Sequence, residues 1–387
     1  MRVAVVAGPD AGHAFPAIAL ARALVAAGDD AVVYTGRRWL DAARDAGVDT
    51  RSLPGLEPRP EDDDADAGRR IHERAAYMST QLLPVLSDLG PDLVVSDILT
   101  AGGSLAAERL GVPWVELAPH PLYRPSRSLP PIGSGLAPGT GIRGRLRDTV
   151  MRALTARSVR AGLEQRSRAR ESVGLPSVDP GPARRLVATI PALEVPRVDW
   201  PAEAHVVGPL LWEPTSAVLE PPVGDDPLVM LAPSTAATGA VSMMDATLDA
   251  LALSRETGAP CRLAISTVDD VPADLPPWAV GGLGRQDELL RHASVVVCGG
   301  GHGMLAKALL AGVPVVVVPG GGDQWELANR AARQGSAVIV RPVSADAISD
   351  AVRTVLSDPA YAAAATRAAD GARAVDDPVA VCREIFA

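Results

Sequence analysis

Ser294-Val-Val-Val-Cys298, then Gly299-Gly-Gly-His302-Gly303, then Met304-Leu-Ala-Lys-Ala-Leu-Leu-Ala311 is the stretch on which the fold turns. An apolar, β-branched run without polar alternation reads as a strand covered on both faces, which is the condition of a strand in a parallel sheet. The glycines lead from it into a run of good helix formers. Strand, glycine loop, helix is an anion-binding order: glycine lets the backbone approach a diphosphate, and the first-turn N–H groups and helix dipole stabilise its charge. A glycine loop alone also fits a bare strand-to-helix turn, so the flanking sequence has to decide.

Downstream, Val313-Pro-Val-Val-Val-Val318 reads as the next strand, ending in Pro319 and Gly320-Gly-Gly-Asp323-Gln324 before another helix. Asp323 and Gln324 carry the acceptor and donor groups that vicinal hydroxyls need, although Asp323 could instead cap the helix. Leu228–Ala232, Arg262–Ser266 and Ala337–Val340 complete an alternating α/β series. Ser234 and Thr235 follow its first strand and could donate to phosphate or merely close a turn. Between Pro196 and Pro227, seven prolines interrupt every regular period, so no helix or central strand is expected to run through the stretch. Before them the alternation recurs. Arg2–Gly8, a helix over Ala14–Ala27 and Ala31–Thr35 come first; Asp92–Asp97, a helix over Ala101–Leu110 and Pro113–Leu117 follow. The fold class is therefore α/β, with two Rossmann-like domains facing each other across a cleft. The boundaries expected are 1–200, a linker at 201–227, 228–368, and a C-terminal helix within 369–387 packing back on the first domain.

Composition narrows the function. With 387 residues, 47% hydrophobic and 21% charged, the chain can bury more than one core. The net charge of −9 supplies no positive field for nucleic acid. No apolar run reaches the roughly 18 residues of a membrane span, and the N-terminal run becomes glycine-rich as a buried strand does, so the expectation is a cytoplasmic protein without membrane insertion. Cys261, Cys298 and Cys382 are far apart and lack metal-ligand spacing, so neither a zinc site nor a disulfide framework is expected. Lys307 is the only lysine, and this arginine bias suits a high-GC bacterial genome. Arg124–Gly141, rich in proline, serine and glycine, reads as a long loop. Arg143–Arg170 carries nine arginines at helical spacing and reads as a solvated face before a membrane-surface or partner-binding one. Glu61-Asp-Asp-Asp64 reads as a solvated loop.

With these residues in view, the chain resembles the inverting family 1 glycosyltransferases of GT-B fold, especially bacterial enzymes that decorate antibiotics and other natural products. The likeness spans almost the whole chain. It is strongest over Leu289-Leu290 to Val297, the glycine loop, Gly312-Val-Pro314, Pro319, Asp323-Gln324, Asn329 and Gly335. The family's N-terminal element appears as Gly12-His13-Ala-Phe-Pro16. The resemblance implies that His13 is the catalytic base and Asp97 the carboxylate that orients it; each could otherwise serve its local helix start. It implies donor contacts from Ser234, Thr235, Arg285, Gln286, Gly299, Gly300, Gly301, His302, Gly303, Asp323 and Gln324. The N-terminal domain would bind a small lipophilic acceptor, with Met78, Leu122 and Tyr123 as lining candidates. A nucleoside-diphosphate sugar would be co-substrate, with no cofactor and no metal, and a homodimer is an admissible assembly.

Two positions depart from the pattern. Where the family has a diphosphate-binding histidine the chain has Gly299, leaving His302 as the nearest imidazole. The family's Pro-Gln element reads Arg285-Gln286. A nucleotide-sugar 2-epimerase of the same architecture, and a degenerate GT-B protein that binds a nucleotide or assists a partner glycosyltransferase, are the alternatives. A nicotinamide oxidoreductase is disfavoured because residues 8–16 read GPDAGHAFP, with no Gly-x-Gly-x-x-Gly.

Overall fold

The computed structural model describes residues 1–57, 59, 67–234, 239–240 and 242–387. It contains two parallel sheets. The first holds β1 (Arg2–Val6), β2 (Asp30–Thr35), β3 (Asp49–Ser52), β4 (Leu93–Asp97), β5 (Trp114–Ala118), β6 (Arg184–Val187) and β7 (Ala204–Val206) in the order 3-2-1-4-5-6-7. The second holds β8 (Leu228–Ala232), β9 (Arg262–Ser266), β10 (Ala279–Gly282), β11 (Val295–Cys298), β12 (Val315–Val317) and β13 (Ala337–Ile339) in the order 10-9-8-11-12-13. This is the two-domain Rossmann-like architecture of the GT-B fold. The central strands are buried along their lengths, β4, β8 and β11 at every residue, because helices cover both faces.

Two features tie the halves together. Segment 207–227 contains no helix or strand, yet Trp212 is buried and meets Phe15 edge-on at 5.0 Å in the N-terminal core. Next to it, Glu213 accepts hydrogen bonds from Lys307 Nζ at 2.7 Å and from the Gln286 amide at 3.2 Å. At the other end of the chain, the helix Pro378–Arg383 inserts Val379, Val381 and Cys382 into the N-terminal core. Arg383 Nη2 donates to Ala27 O at 2.8 Å and to Asp29 Oδ2 at 2.9 Å.

The arginine-rich segment forms one 32-residue helix, Gly141–Ser172. Most of it faces solvent, including an i, i+4 row of exposed apolar residues, Ile142, Leu146, Val150 and Leu154. Arg170 departs from the solvated-face reading. It is buried, donating through Nη1 and Nη2 to Glu108 at 2.8 and 2.7 Å and through Nε to Pro176 O at 2.8 Å. The acidic run Glu61–Asp64 lies outside the described residues.

The buried Arg170–Glu108 fork should be costly to break from one side. Arg170→Met leaves a partly buried carboxylate without its partner and should lower unfolding stability by about 3–5 kcal/mol, measured as a fall in urea midpoint. The double variant with Glu108→Leu should recover much of that loss.

Candidate active site

His13 lies in the first turn of the helix Ala11–Ala26, just beyond β1, and Asp97 is the last residue of β4. These strands are neighbours, with Val6 in register with Ser96, so their carboxyl-terminal loops emerge side by side. Asp97 is fully buried. Its Oδ1 meets His13 Nδ1 at 2.7 Å, and its Oδ2 accepts from the Leu99 amide at 3.1 Å and Thr100 Oγ1 at 3.0 Å. The carboxylate thus holds its own turn as well as the imidazole. Burial lowers the His13 pKa, but the charge and hydrogen bond of Asp97, with the charges of Asp10 and Asp323, outweigh it and the net shift is upward. Donating Nδ1–H to Asp97 leaves Nε2 as the group that can take a proton.

The opposite wall comes from the loops after β8, β11 and β12. Gly301 caps the helix His302–Leu310, and Gly300 adopts φ +81°, a conformation that favours glycine. A Cβ on Gly300 would fall 2.7 Å from Val317 Cγ1, and one on Gly299 2.9 Å from the Ser234 Cβ. The loop is therefore packed directly against its neighbours. Gln324 is buried with its amide committed at both ends: Oε1 accepts from the Gly320 amide at 2.8 Å and Nε2 donates to Ser234 Oγ at 2.8 Å. What this wall offers an anion is the backbone N–H groups and dipole at the start of the His302 helix.

His302 turns toward the N-terminal domain. Its Nε2 lies 2.8 Å from Thr189 Oγ1, just beyond β6, and the ring bonds the Pro119 carbonyl; burial, with His120 nearby, pushes its pKa down to about 3. The side chain expected to reach a diphosphate is instead a neutral clasp between the domains. Asp323 leads into the helix Gln324–Gln334 but makes no capping bond. Its Oδ2 accepts from Tyr123 Oη at 3.3 Å across the cleft. Tyr123 in turn stacks on His120, with ring centroids 4.4 Å apart and planes at 20°.

The remaining expected residues divide. Met78 and Leu122 belong to the N-terminal core, at 6% and 1% exposure, which corrects their reading as acceptor-lining surface. Arg285 Nε donates to Asp287 Oδ1 at 2.9 Å, and Gln286 Oε1 accepts from Lys307 Nζ at 2.9 Å, so both side chains are held within their own neighbourhood. Thr235 lies outside the described residues. Among the described residues no group of three His, Cys, Asp or Glu could hold a metal ion. His120 was missed from sequence because nothing in Ala118-Pro119-His120-Pro121 marks it; only its place after β5, beside β4, brings it to the cleft.

Residues 282–387 match the model of the erythromycin biosynthesis protein CIII-like C-terminal domain. The chain is 31% identical over 409 residues to 4'-demethylrebeccamycin synthase of Lentzea aerocolonigenes, covering 95% of each chain. Its fold is similar to the glycotransferase of kitacinnamycin, with TM-score 0.74 and 23% identity over 96% of this chain and 95% of that one. It is also similar to the Streptomyces sp. SF2575 glycosyltransferase complexed with thymidine diphosphate, with TM-score 0.67 and 20% identity over 100% and 99% of the two chains.

The packing around Gly299 predicts that Gly299→His will not by itself tighten nucleotide binding, because its Cβ collides with Ser234. In calorimetric titrations with thymidine diphosphate the single variant should bind no better than the parent. Gly299→His combined with Ser234→Gly should bind more tightly than Gly299→His alone.

Proposed function

The chain belongs to the GT-B glycosyltransferases of natural-product biosynthesis, and from that premise we propose that it moves a sugar from a thymidine or uridine diphosphate onto a small lipophilic acceptor with inversion at the anomeric carbon. His13 Nε2 takes the acceptor hydroxyl proton as that oxygen attacks the anomeric carbon from the face opposite the diphosphate. The new C–O bond forms while the bond to the phosphate oxygen breaks, and the electron pair leaves on the diphosphate. Asp97 holds the proton on Nδ1 and stabilises the imidazolium that results. The Gly299–Gly303 backbone and the dipole of the His302 helix meet the departing charge. Asp323 is the carboxylate available to sugar hydroxyls, once Tyr123 releases it.

The observation that carries this reading is the His13–Asp97 pair at 2.7 Å, close enough to Asp323 on the other wall for that charge to raise His13. Thymidine diphosphate bound to a relative of the same fold supports the donor class. The two hydrogen bonds of the Gln324 side chain, from the Gly320 amide and to Ser234 Oγ, favour a different part for that residue: it braces the loops of the donor wall instead of meeting the sugar.

His13→Ala should lower kcat by roughly 10²- to 10⁴-fold while thymidine diphosphate still raises the melting temperature. A variant that turns over normally, or a wild type that only epimerises or hydrolyses the donor, would sink the proposal. The base must be unprotonated, so kcat/KM should rise with pH through a limb above the ordinary histidine value of 6.5. Asp97→Asn removes the largest of the influences that raise this pKa, leaving the weaker charges of Asp10 and Asp323 against the burial that lowers it. Its pH limb should move to lower pH, at a reduced plateau.

A further inference from the structure

The cleft contains a second imidazole built like the first. His120 sits between Pro119 and Pro121, whose fixed φ angles stiffen the backbone around it. Its Nδ1 donates to the Pro121 carbonyl at 2.7 Å, as His13 Nδ1 donates to Asp97. The ring is fixed further by its stack on Tyr123. Among the described residues Nε2 has no hydrogen-bond partner, and it is not one of the buried unpartnered polar atoms, so it keeps a small exposure to solvent.

The two rings differ in what stands behind them. A carboxylate behind His13 favours the imidazolium and makes Nε2 a base. A neutral carbonyl behind His120 gives far less of that help, and burial lowers its pKa despite the Pro121 bond and the charges of Asp323 and Asp97, with His13 also opposing protonation. His120 therefore keeps a bare Nε2 lone pair beside a partner that protonates more readily.

We propose that His120 Nε2 accepts a hydrogen bond from a second hydroxyl or N–H on the acceptor, adjacent to the hydroxyl that His13 deprotonates, so that the enzyme prefers acceptors with two neighbouring hydrogen-bond donors. This rests on the acceptor site proposed above. It makes His120 a specificity-determining residue that contacts substrate without taking its proton. An acceptor lacking the second donor leaves Nε2 without a partner in a largely dehydrated site, which is how such sites reject an analogue.

The test pairs a substrate deletion with a side-chain deletion. With thymidine and uridine diphosphoglucose as donors, 6,7-dihydroxycoumarin should exceed 7-hydroxycoumarin in kcat/KM by about tenfold or more for the wild type. His120→Phe keeps the stack on Tyr123 but removes the lone pair. It should erase that preference by raising the KM for the dihydroxy acceptor, with donor KM unchanged. His120→Gln, whose amide oxygen can accept at the same place, should retain much of the preference. An undiminished preference in His120→Phe overturns the proposal and leaves glycosyl transfer standing.

A readout independent of turnover uses nitrogen-15 histidine spectra of the protein saturated with thymidine diphosphate. The His120 Nε2 resonance should move more with the dihydroxy than with the monohydroxy coumarin. Equal or absent movement overturns the proposal even where no transfer occurs. Failure of the broader reading looks different: neither coumarin is glycosylated and no nucleotide shifts the melting temperature.

Discussion

In a parallel sheet every strand ends on the same edge, and that constraint organises this molecule twice. In the N-terminal domain it gathers the loops after β1, β4, β5 and β6, which bring His13, Asp97, His120 and Thr189 together from positions spread over 176 residues of chain. In the C-terminal domain it gathers the loops after β8, β11 and β12, and with them Ser234, the glycine loop and Asp323. Facing the two edges across one cleft puts the His13–Asp97 pair on one wall and a helix N-terminus on the other. The His13–Asp97 bond depends on this directly. Reordering β1 and β4 would leave both residues in place along the chain and the pair unmade.

The cost of bringing polar groups into such a cleft is met by local pairing, and the pairing decides which groups remain for substrate. Asp97 satisfies its turn with one oxygen and His13 with the other. Gln324, Gln286 and His302 each find protein partners, so residue types that suit ligand binding act as braces. His302 shows how strongly position governs role: three residues from the glycine that departs from the family, it points into the neighbouring domain. What the C-terminal wall can offer an anion is then backbone amides and a helix dipole, which need close approach and hence glycine. Close packing of Gly299 against Ser234 and of Gly300 against Val317 belongs to the same economy.

The fold was legible where strands are buried on both faces, because Val-rich runs such as 295–298 and 315–317 have no other comfortable environment. It was poorly legible at the sheet edges. β3 reads Asp-Thr-Arg-Ser and β10 ends in two glycines, and only pairing with β2 and β9 makes them strands. The site followed the same division. His13 and the glycine loop announce themselves by lying at strand-to-helix turns, whereas His120 and the Thr189–His302 contact depend on which loops adjoin in space. Met78 and Leu122 were misread because an apolar residue near a loop looks the same in sequence whether it faces substrate or core. Their partners settle it: Met78 packs with Leu82 and Leu86, and Leu122 with Val187 and Ala204.

The loop between β5 and the long helix is where the two domains become one site. Gly135 donates its amide to Glu326 Oε2 at 2.9 Å and accepts from Arg333 Nη1 at 2.7 Å, and its φ of +68° places the backbone where a Cβ would strike Trp325 Nε1 at 2.4 Å. Upstream in the same loop, Tyr123 bonds Asp323 and supports His120. A single segment thus touches Asp323, the His120 ring and the helix Gln324–Gln334. Any donor that draws Asp323 away from Tyr123 acts on the ring stacked against Tyr123 as well. On the function proposed above, donor binding and acceptor placement are linked through the Asp323–Tyr123–His120 contacts.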